Sequence, residues 1–172
     1  TAGEISDKSV YGINPALDGT VIGIAALGAA FPVIYEHKII KKQCPGDRNE
    51  VNRIDRAVLD DDSKLTRRLG DVTGVLGLAV PPVLDGIDLV FKDHAYLEDM
   101  IVYAEVLSVN SAVSNAFRYT TQRPRPNAYR ISPNPSQPGA FASFYSGHTA
   151  SVFAGLSAAS MTYNMRYGPH IW

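Results

Sequence analysis

Apolar side chains occupy every face of the segment from Thr20 to Tyr35, a pattern typical of a helix that is buried on all sides. Asp18 precedes the segment and is predicted to cap it, because a carboxylate can accept the free N–H groups of the first turn. A bilayer span needs about 20 apolar residues, and this run is slightly shorter and contains Pro32. The pattern therefore allows burial in a protein core or in lipid.

Three further helices are predicted along the chain. Val51, Ile54 and Val58 recur at helical spacing between charged residues, which predicts a short surface helix over Val51–Leu59. A second apolar stretch runs from Val72 to Val83 and contains Pro81-Pro82, which predicts either a broken helix or two helices. Apolar and small residues then predict a long helix from Tyr96 to Arg118.

The last third of the chain is predicted to be a loop followed by a helix. Residues 127–145 are rich in Pro, Asn, Ser and Gly, which favours irregular structure, and a final helix is predicted from His148 to Met161. Apolar residues alternate with period two in no segment, so the fold class predicted is all-α.

Composition adds few constraints. A length of 172 residues favours one domain, with residues 1–15 as a flexible N-terminal arm. The formal net charge of -1 provides no general basic surface, so nucleic acid is not a predicted partner. The single cysteine, Cys44, cannot form a disulfide within the chain.

The candidate residues for ligand binding and catalysis concentrate between Arg118 and His148. Arg118 and Arg125 flank a link stiffened by Pro124, and arginine offers a planar fork of donors that matches phosphate oxygens. Arg123 is a third candidate whose direction the sequence does not fix. Ser146 and Gly147 stand at a helix start, where free N–H groups and the helix dipole favour an anion. His148 can act as a general acid near neutral pH.

Two motifs in this stretch resemble those of the type 2 phosphatidic acid phosphatases, in the acid phosphatase and vanadium haloperoxidase superfamily. The family's first motif, Lys-x6-Arg-Pro, is matched by Arg118-Tyr-Thr-Thr-Gln-Arg-Pro-Arg125-Pro126, with arginine at the lysine position. Its second motif, Pro-Ser-Gly-His, is matched by Tyr145-Ser146-Gly147-His148, with tyrosine in place of proline. The resemblance covers roughly residues 96–163.

The resemblance implies a helical bundle that hydrolyses phosphomonoesters without a metal. It implies that Arg118, Arg125, Ser146 and Gly147 bind the phosphate and that His148 protonates the leaving group. The family's third motif, Ser-Arg-x5-His-x3-Asp, supplies the nucleophilic histidine and has no counterpart in residues 1–172. The expectation is a domain truncated at its C-terminus, with the nucleophile beyond residue 172.

The other histidines are poor substitutes for that nucleophile. His94 and His170 are predicted to lie at the opposite end of the helices that carry Arg118 and His148. His37 is predicted to lie at the same end as Arg118, but the sequence beside it offers lysines and no identifiable acid to orient it.

The leading functional prediction is a phosphatase for small or lipid phosphates that works through a phosphohistidine. One alternative is a haloperoxidase with vanadate as its cofactor, since vanadate resembles the phosphorus transition state. Another is a non-catalytic, anion-binding or structural envelope protein. The predicted location is the bacterial-type periplasm or cell envelope, with possible membrane association and an integral membrane protein as the alternative. The sequence does not fix the oligomeric state.

Overall fold

The computed structural model describes residues 10–40, 47–49, 51–57, 59, 63–91, 96–129 and 138–168. No strand occurs among these residues, which confirms the all-α prediction. The α-helices are α1 (Pro15–Ile34), α2 (Glu36–Ile39), α3 (Arg53–Arg56), α4 (Lys64–Phe91), α5 (Tyr96–Thr121) and α6 (Gly147–Tyr167). Two 3₁₀ turns, η1 (Pro126–Tyr129) and η2 (Pro138–Phe141), lie between α5 and α6.

The helix α1 packs along α5 in the parallel direction. Near the middle of both helices a Cβ on Gly28 would lie 3.6 Å from the Cβ of Ala112, so the two backbones approach closely. Near the C-terminal end of α5 the Tyr119 hydroxyl donates to a carboxylate oxygen of Glu36, the first residue of α2, at 3.1 Å. Small residues on α5, including the buried Ser114, permit this approach.

The helix α6 runs antiparallel to α5 and parallel to α4. Asp99 at the start of α5 pairs with Arg166 at the end of α6, and α4 meets α6 where Gly77 lies against Val152. The four long helices therefore alternate in direction along the chain. The C-terminal ends of α1 and α5 and the N-terminal ends of α4 and α6 come to the same end of the bundle.

The helix α4 continues through Pro81-Pro82 as one helix of 28 residues, so the prediction of a broken helix or of two helices is wrong. Proline cannot donate the backbone hydrogen bond to the carbonyl four residues earlier. For Pro82 that carbonyl belongs to Leu78, and the Tyr103 hydroxyl donates to it at 2.7 Å. A side chain of α5 thus replaces a hydrogen bond that the sequence of α4 cannot make.

The predicted helix ends need correction at several places. The helix α1 begins at Pro15 and is capped by Asn14, whose Oδ1 accepts the N–H groups of Ala16 and Leu17 at 3.1 and 3.2 Å. The prediction of Asp18 as the N-cap is wrong; Asp18 instead accepts the Asn14 N–H at 2.8 Å. The last helix extends to Tyr167, beyond the predicted Met161.

Other corrections concern the surface helix and the loop. The predicted surface helix over Val51–Leu59 is reduced to the single turn of α3. The predicted loop contains the turns η1 and η2, and Phe141 of η2 is buried in a small core with Tyr119 and Ile40. Of the predicted N-terminal arm, residues 1–9 lie outside the described residues, as do the predicted positions of His94 and His170.

In the part of the chain that the structure describes, two helices are long and apolar enough to cross a membrane. They are α1, with a mean hydropathy of 1.8, and the Lys64–Ile87 part of α4, with a mean hydropathy of 1.2. Large apolar side chains on both are exposed, among them Leu27 at 72% and Val75 at 66%. The large apolar side chains of α1 and α4 therefore point largely away from the protein core. A protein core was one of the two places of burial that the sequence of α1 allowed.

The packing of α4 against α5 gives a first prediction. Replacing Tyr103 with Phe should lower the free energy of unfolding by about 1–3 kcal/mol, because the Leu78 carbonyl is left without the hydroxyl donor. Thermal unfolding in mild detergent, followed by circular dichroism, measures the effect. Tyr35→Phe, at the exposed end of α1, is the control and should unfold as the wild type does. Equal stability of Tyr103→Phe and wild type would contradict the interpretation.

Candidate functional site

The last turn of α5 meets the first turn of α6 through a contact between an arginine and a glycine. The Arg118 guanidinium lies against Gly147, and a Cβ added at position 147 would overlap Nη2 of Arg118. The Nε of Arg118 also donates to the Tyr145 carbonyl at 3.3 Å. A side chain at position 147 would therefore displace the Arg118 guanidinium from this contact. The two motifs identified in the sequence meet at this contact.

The second arginine is held by hydrogen bonds across the base of the loop. The Arg125 N–H donates to the Ala140 carbonyl at 2.7 Å, and its Nη2 donates to the Ala142 carbonyl at 3.4 Å. The Ser143 N–H donates at 3.0 Å to the carbonyl of Arg123, which lies two residues before Arg125. These bonds join the segment after α5 to the segment before α6, so Arg125 is fixed beside the start of α6.

The two arginines influence each other electrostatically. Burial lowers the pKa of Arg125, the positive charge of Arg118 lowers it further, and Tyr119 acts in the opposite direction. Arginine nevertheless remains cationic at physiological pH. Two like charges that repel each other favour binding of an anion, most of all one with two negative charges.

Ser146 caps α6 in a way that leaves its own proton free. Its Oγ accepts the Thr149 N–H at 3.4 Å and lies 3.1 Å from the Thr149 hydroxyl, which donates to it. The serine hydroxyl hydrogen is then available to a ligand. The first N–H groups of α6 add further donors, since the start of a helix has no intrahelical acceptors for them.

His148 lies on a cleft of about 530 Å³ between the starts of α4 and α6. Arg125 and Ser146 line the same cleft. Arg118 and Gly147 are not among its lining residues but contact each other immediately beside Ser146 and His148. The structure thus brings all five sequence-predicted site residues to one end of the bundle, three of them on the cleft and two in the adjoining contact.

Arg123 and His37 are not on this cleft. Arg123 lines a separate cleft of about 260 Å³ together with Tyr129 and Ser143, so it is no part of the arginine pair. His37 is exposed on α2 and does not line the cleft. Within the described ranges, no group of three or more His, Cys, Asp or Glu side chains is placed to hold a metal ion.

Sequence reasoning missed the contribution of α4 to the cleft. Its first turns supply polar and small residues at helical spacing, namely Thr66, Arg67, Gly70, Asp71 and Gly74. Asp71 approaches the imidazole of His148, with 3.8 Å between Oδ1 and Nε2. A polar stripe at the start of an otherwise apolar helix was the available signal, but nothing in the sequence connects that stripe to His148.

Comparison of the chain with protein-family models, with curated proteins and with solved structures found no match. The case for a function therefore depends on the site geometry and on the two short motifs. Chemically, the arrangement can bind a tetrahedral oxyanion through two guanidiniums, a hydroxyl and backbone N–H groups. It places an imidazole next to that anion.

The glycine contact gives a prediction for anion binding. Gly147→Ala should weaken binding of phosphate or vanadate about tenfold or more, because the added methyl displaces the Arg118 guanidinium. Isothermal titration measures the affinity, and circular dichroism checks that the helices remain. Gly19→Ala is the matched control, since a Cβ there meets nothing within 4 Å. Unchanged affinity in Gly147→Ala would show that Arg118 takes no part in anion binding.

Proposed function

We propose that the protein is a phosphatase that hydrolyses phosphomonoesters, including lipid phosphates. The observation that supports this proposal best is the convergence of Arg118, Arg125, Ser146 and His148 at one end of the bundle. Each of these residues also occupies the matching position in the two motifs that resemble the type 2 phosphatidic acid phosphatases. The helical fold agrees with that resemblance but does not by itself distinguish this family from other all-α proteins.

In the proposed mechanism, Arg118 and Arg125 bind the non-bridging oxygens of the phosphoryl group. Negative charge on these oxygens is retained while the phosphorus passes through its trigonal-bipyramidal state, and fixed donors stabilise it without reorganising. The Ser146 hydroxyl and the first N–H groups of α6 contribute further hydrogen bonds. His148 in its protonated form gives a proton to the leaving oxygen as the bond from phosphorus to oxygen breaks.

The attacking group is proposed to be a histidine beyond residue 172, as the resemblance implies. Its imidazole nitrogen would form a bond to phosphorus while the alcohol leaves, and water would later hydrolyse the phosphohistidine. Among the described residues that line the cleft, His148 is the sole histidine. His148 is assigned to the acid role, so a second imidazole has to come from elsewhere.

Rapid quenching of the full-length gene product with a ³²P-labelled phosphomonoester tests this function. The expected result is a protein-bound phosphate that is labile in acid and stable in base, together with release of inorganic phosphate. Arg125→Lys should lower kcat/KM about 100-fold, or ~2.7 kcal/mol, because lysine cannot form the two parallel bonds of a guanidinium. Arg53→Lys, on the exposed α3, is the control.

Two results would contradict the phosphatase proposal. One is the absence of hydrolysis of both soluble and lipid phosphates by the full-length product. The other is bromide oxidation with vanadate and peroxide in a protein that releases no phosphate, which would favour the haloperoxidase. Anion binding without either reaction would favour a non-catalytic envelope protein.

The second part of the proposal is a location in the cell envelope, with α1 and α4 in contact with lipid. This part is supported by the exposed apolar side chains of the two helices, of which Leu27 is an example near the middle of α1. A helix of 20 residues is about 30 Å long, which matches the hydrocarbon thickness of a bilayer. The site would then lie at one surface of the membrane.

Fractionation of cells that express the chain tests the location. The wild-type protein should stay in the membrane pellet after a carbonate wash and be released by detergent. Leu27→Asp should reduce membrane retention, since a charged residue near the centre of a span costs about 2.5–3.5 kcal/mol. Thr20→Asp, closer to the end of α1, is the control and should behave like the wild type. Release of the wild type by carbonate alone would indicate a soluble or peripheral protein.

A further inference from the structure

The imidazole of His148 packs against the first part of α4. A Cβ added at Gly74 would lie 2.9 Å from Cδ2 of His148, so the ring rests on the bare backbone of α4 at this position. One helical turn earlier, Asp71 directs Oδ1 towards Nε2 of the same ring at 3.8 Å. Glycine and aspartate at this spacing share one face of the helix. They contact the same imidazole from the same side.

Stability alone does not explain this pair. The side chains of His148 and Asp71 are exposed to 65% and 63%, so the contact lies in the open cleft and outside the core. Ion pairs as exposed as this one contribute little to folding. The separation of 3.8 Å exceeds a hydrogen bond, but catalytic contacts often shorten only when substrate is bound.

We propose that Asp71 is a positioning residue that orients His148 as the proton donor, an inference that rests on the proposed phosphatase function. The carboxylate engages Nε2–H, so Nδ1–H is the bond that faces the leaving oxygen. When the bond between phosphorus and that oxygen breaks, its electron pair goes to the oxygen, which takes the proton from Nδ1. The attacking histidine of the proposed mechanism forms the new bond to phosphorus. The imidazole of His148 ends neutral, with its remaining proton held by Asp71.

This arrangement assigns a role to the Gly74 contact as well. A side chain at position 74 would meet the ring and push it away from α4, and with it from the carboxylate. Gly74 and Asp71 therefore act on the same property of the site, the direction in which the ring nitrogens point. Neither is expected to touch the phosphoryl group.

Two phosphate esters separate positioning of the acid from a structural role. An alkyl phosphate needs protonation of its leaving oxygen, whereas a dinitrophenyl phosphate has a leaving group that departs without it. In the full-length protein, Asp71→Asn should lower kcat/KM for the alkyl ester about tenfold or more and leave the dinitrophenyl ester within about threefold. Asp71→Glu should recover part of the loss. Asp85→Asn, further along α4, is the control.

A second measurement does not depend on turnover. The ¹⁵N signals of the His148 ring, assigned with His148→Asn, report which nitrogen carries the proton and should change in Asp71→Asn but not in Asp85→Asn. Vanadate affinity should stay within about threefold of wild type, since Asp71 does not bind the anion.

The possible outcomes are distinct. Equal losses on both esters, or unchanged ring signals in Asp71→Asn, would overturn the positioning role while leaving the phosphatase intact. If the wild type hydrolyses neither ester, the phosphatase proposal fails and the positioning role of Asp71 fails with it. The ring signals would then still show whether Asp71 and His148 are in contact.

Discussion

The antiparallel packing of α5 on α6 is the constraint on which the candidate site depends. At one end Arg166 binds Asp99 in bidentate fashion at 2.7 and 2.8 Å, and both side chains are nearly buried. At the other end, about 29 Å along α6, the Arg118 guanidinium lies on Gly147. A buried ion pair tolerates little displacement because an unpaired charge in that place is costly. The pair therefore fixes the register in which the cation meets the glycine.

The helix α4 completes the cleft because it remains continuous through its prolines and contacts α6 at two of its glycines, Gly74 and Gly77. Gly74 accommodates His148 and Gly77 accommodates Val152, while the Tyr103 hydroxyl of α5 supports the backbone where Pro82 interrupts its hydrogen bonding. The same tyrosine fits against Gly155 of α6. One side chain of α5 thus contacts both helices that line the cleft, although it lies several turns from His148.

The sequence was most informative where chemistry is local. The proximity of Arg118, Arg125 and the Ser146-Gly147-His148 step could be predicted because only a short loop separates the two helix ends that carry them. The continuity of α4 could not be predicted, because it depends on a hydroxyl 21 positions after Pro82 in the chain. The N-cap of α1 was misassigned because Asn14 and Asp18 are both good caps, and only the backbone shows which one precedes the first turn.

The contact of Asp71 with His148 could not be predicted from the sequence either. Asp71 is separated from His148 by 77 positions, and its neighbours resemble any solvent-exposed start of a helix. Asp71 comes near His148 only because α4 and α6 pack in parallel and bring their first turns together. The exposure of the apolar faces of α1 and α4 was equally hidden, since an all-round apolar pattern looks the same in a core and in lipid.

The proximity of Arg118 and Arg125 has a consequence for the protein's persistence in the cell. The two cations repel each other, and an oxyanion bound between them would relieve that repulsion. A ligand that binds only the folded state raises the free energy of unfolding in proportion to the logarithm of its concentration. The protein would then be most resistant to unfolding and proteolysis where phosphate is plentiful.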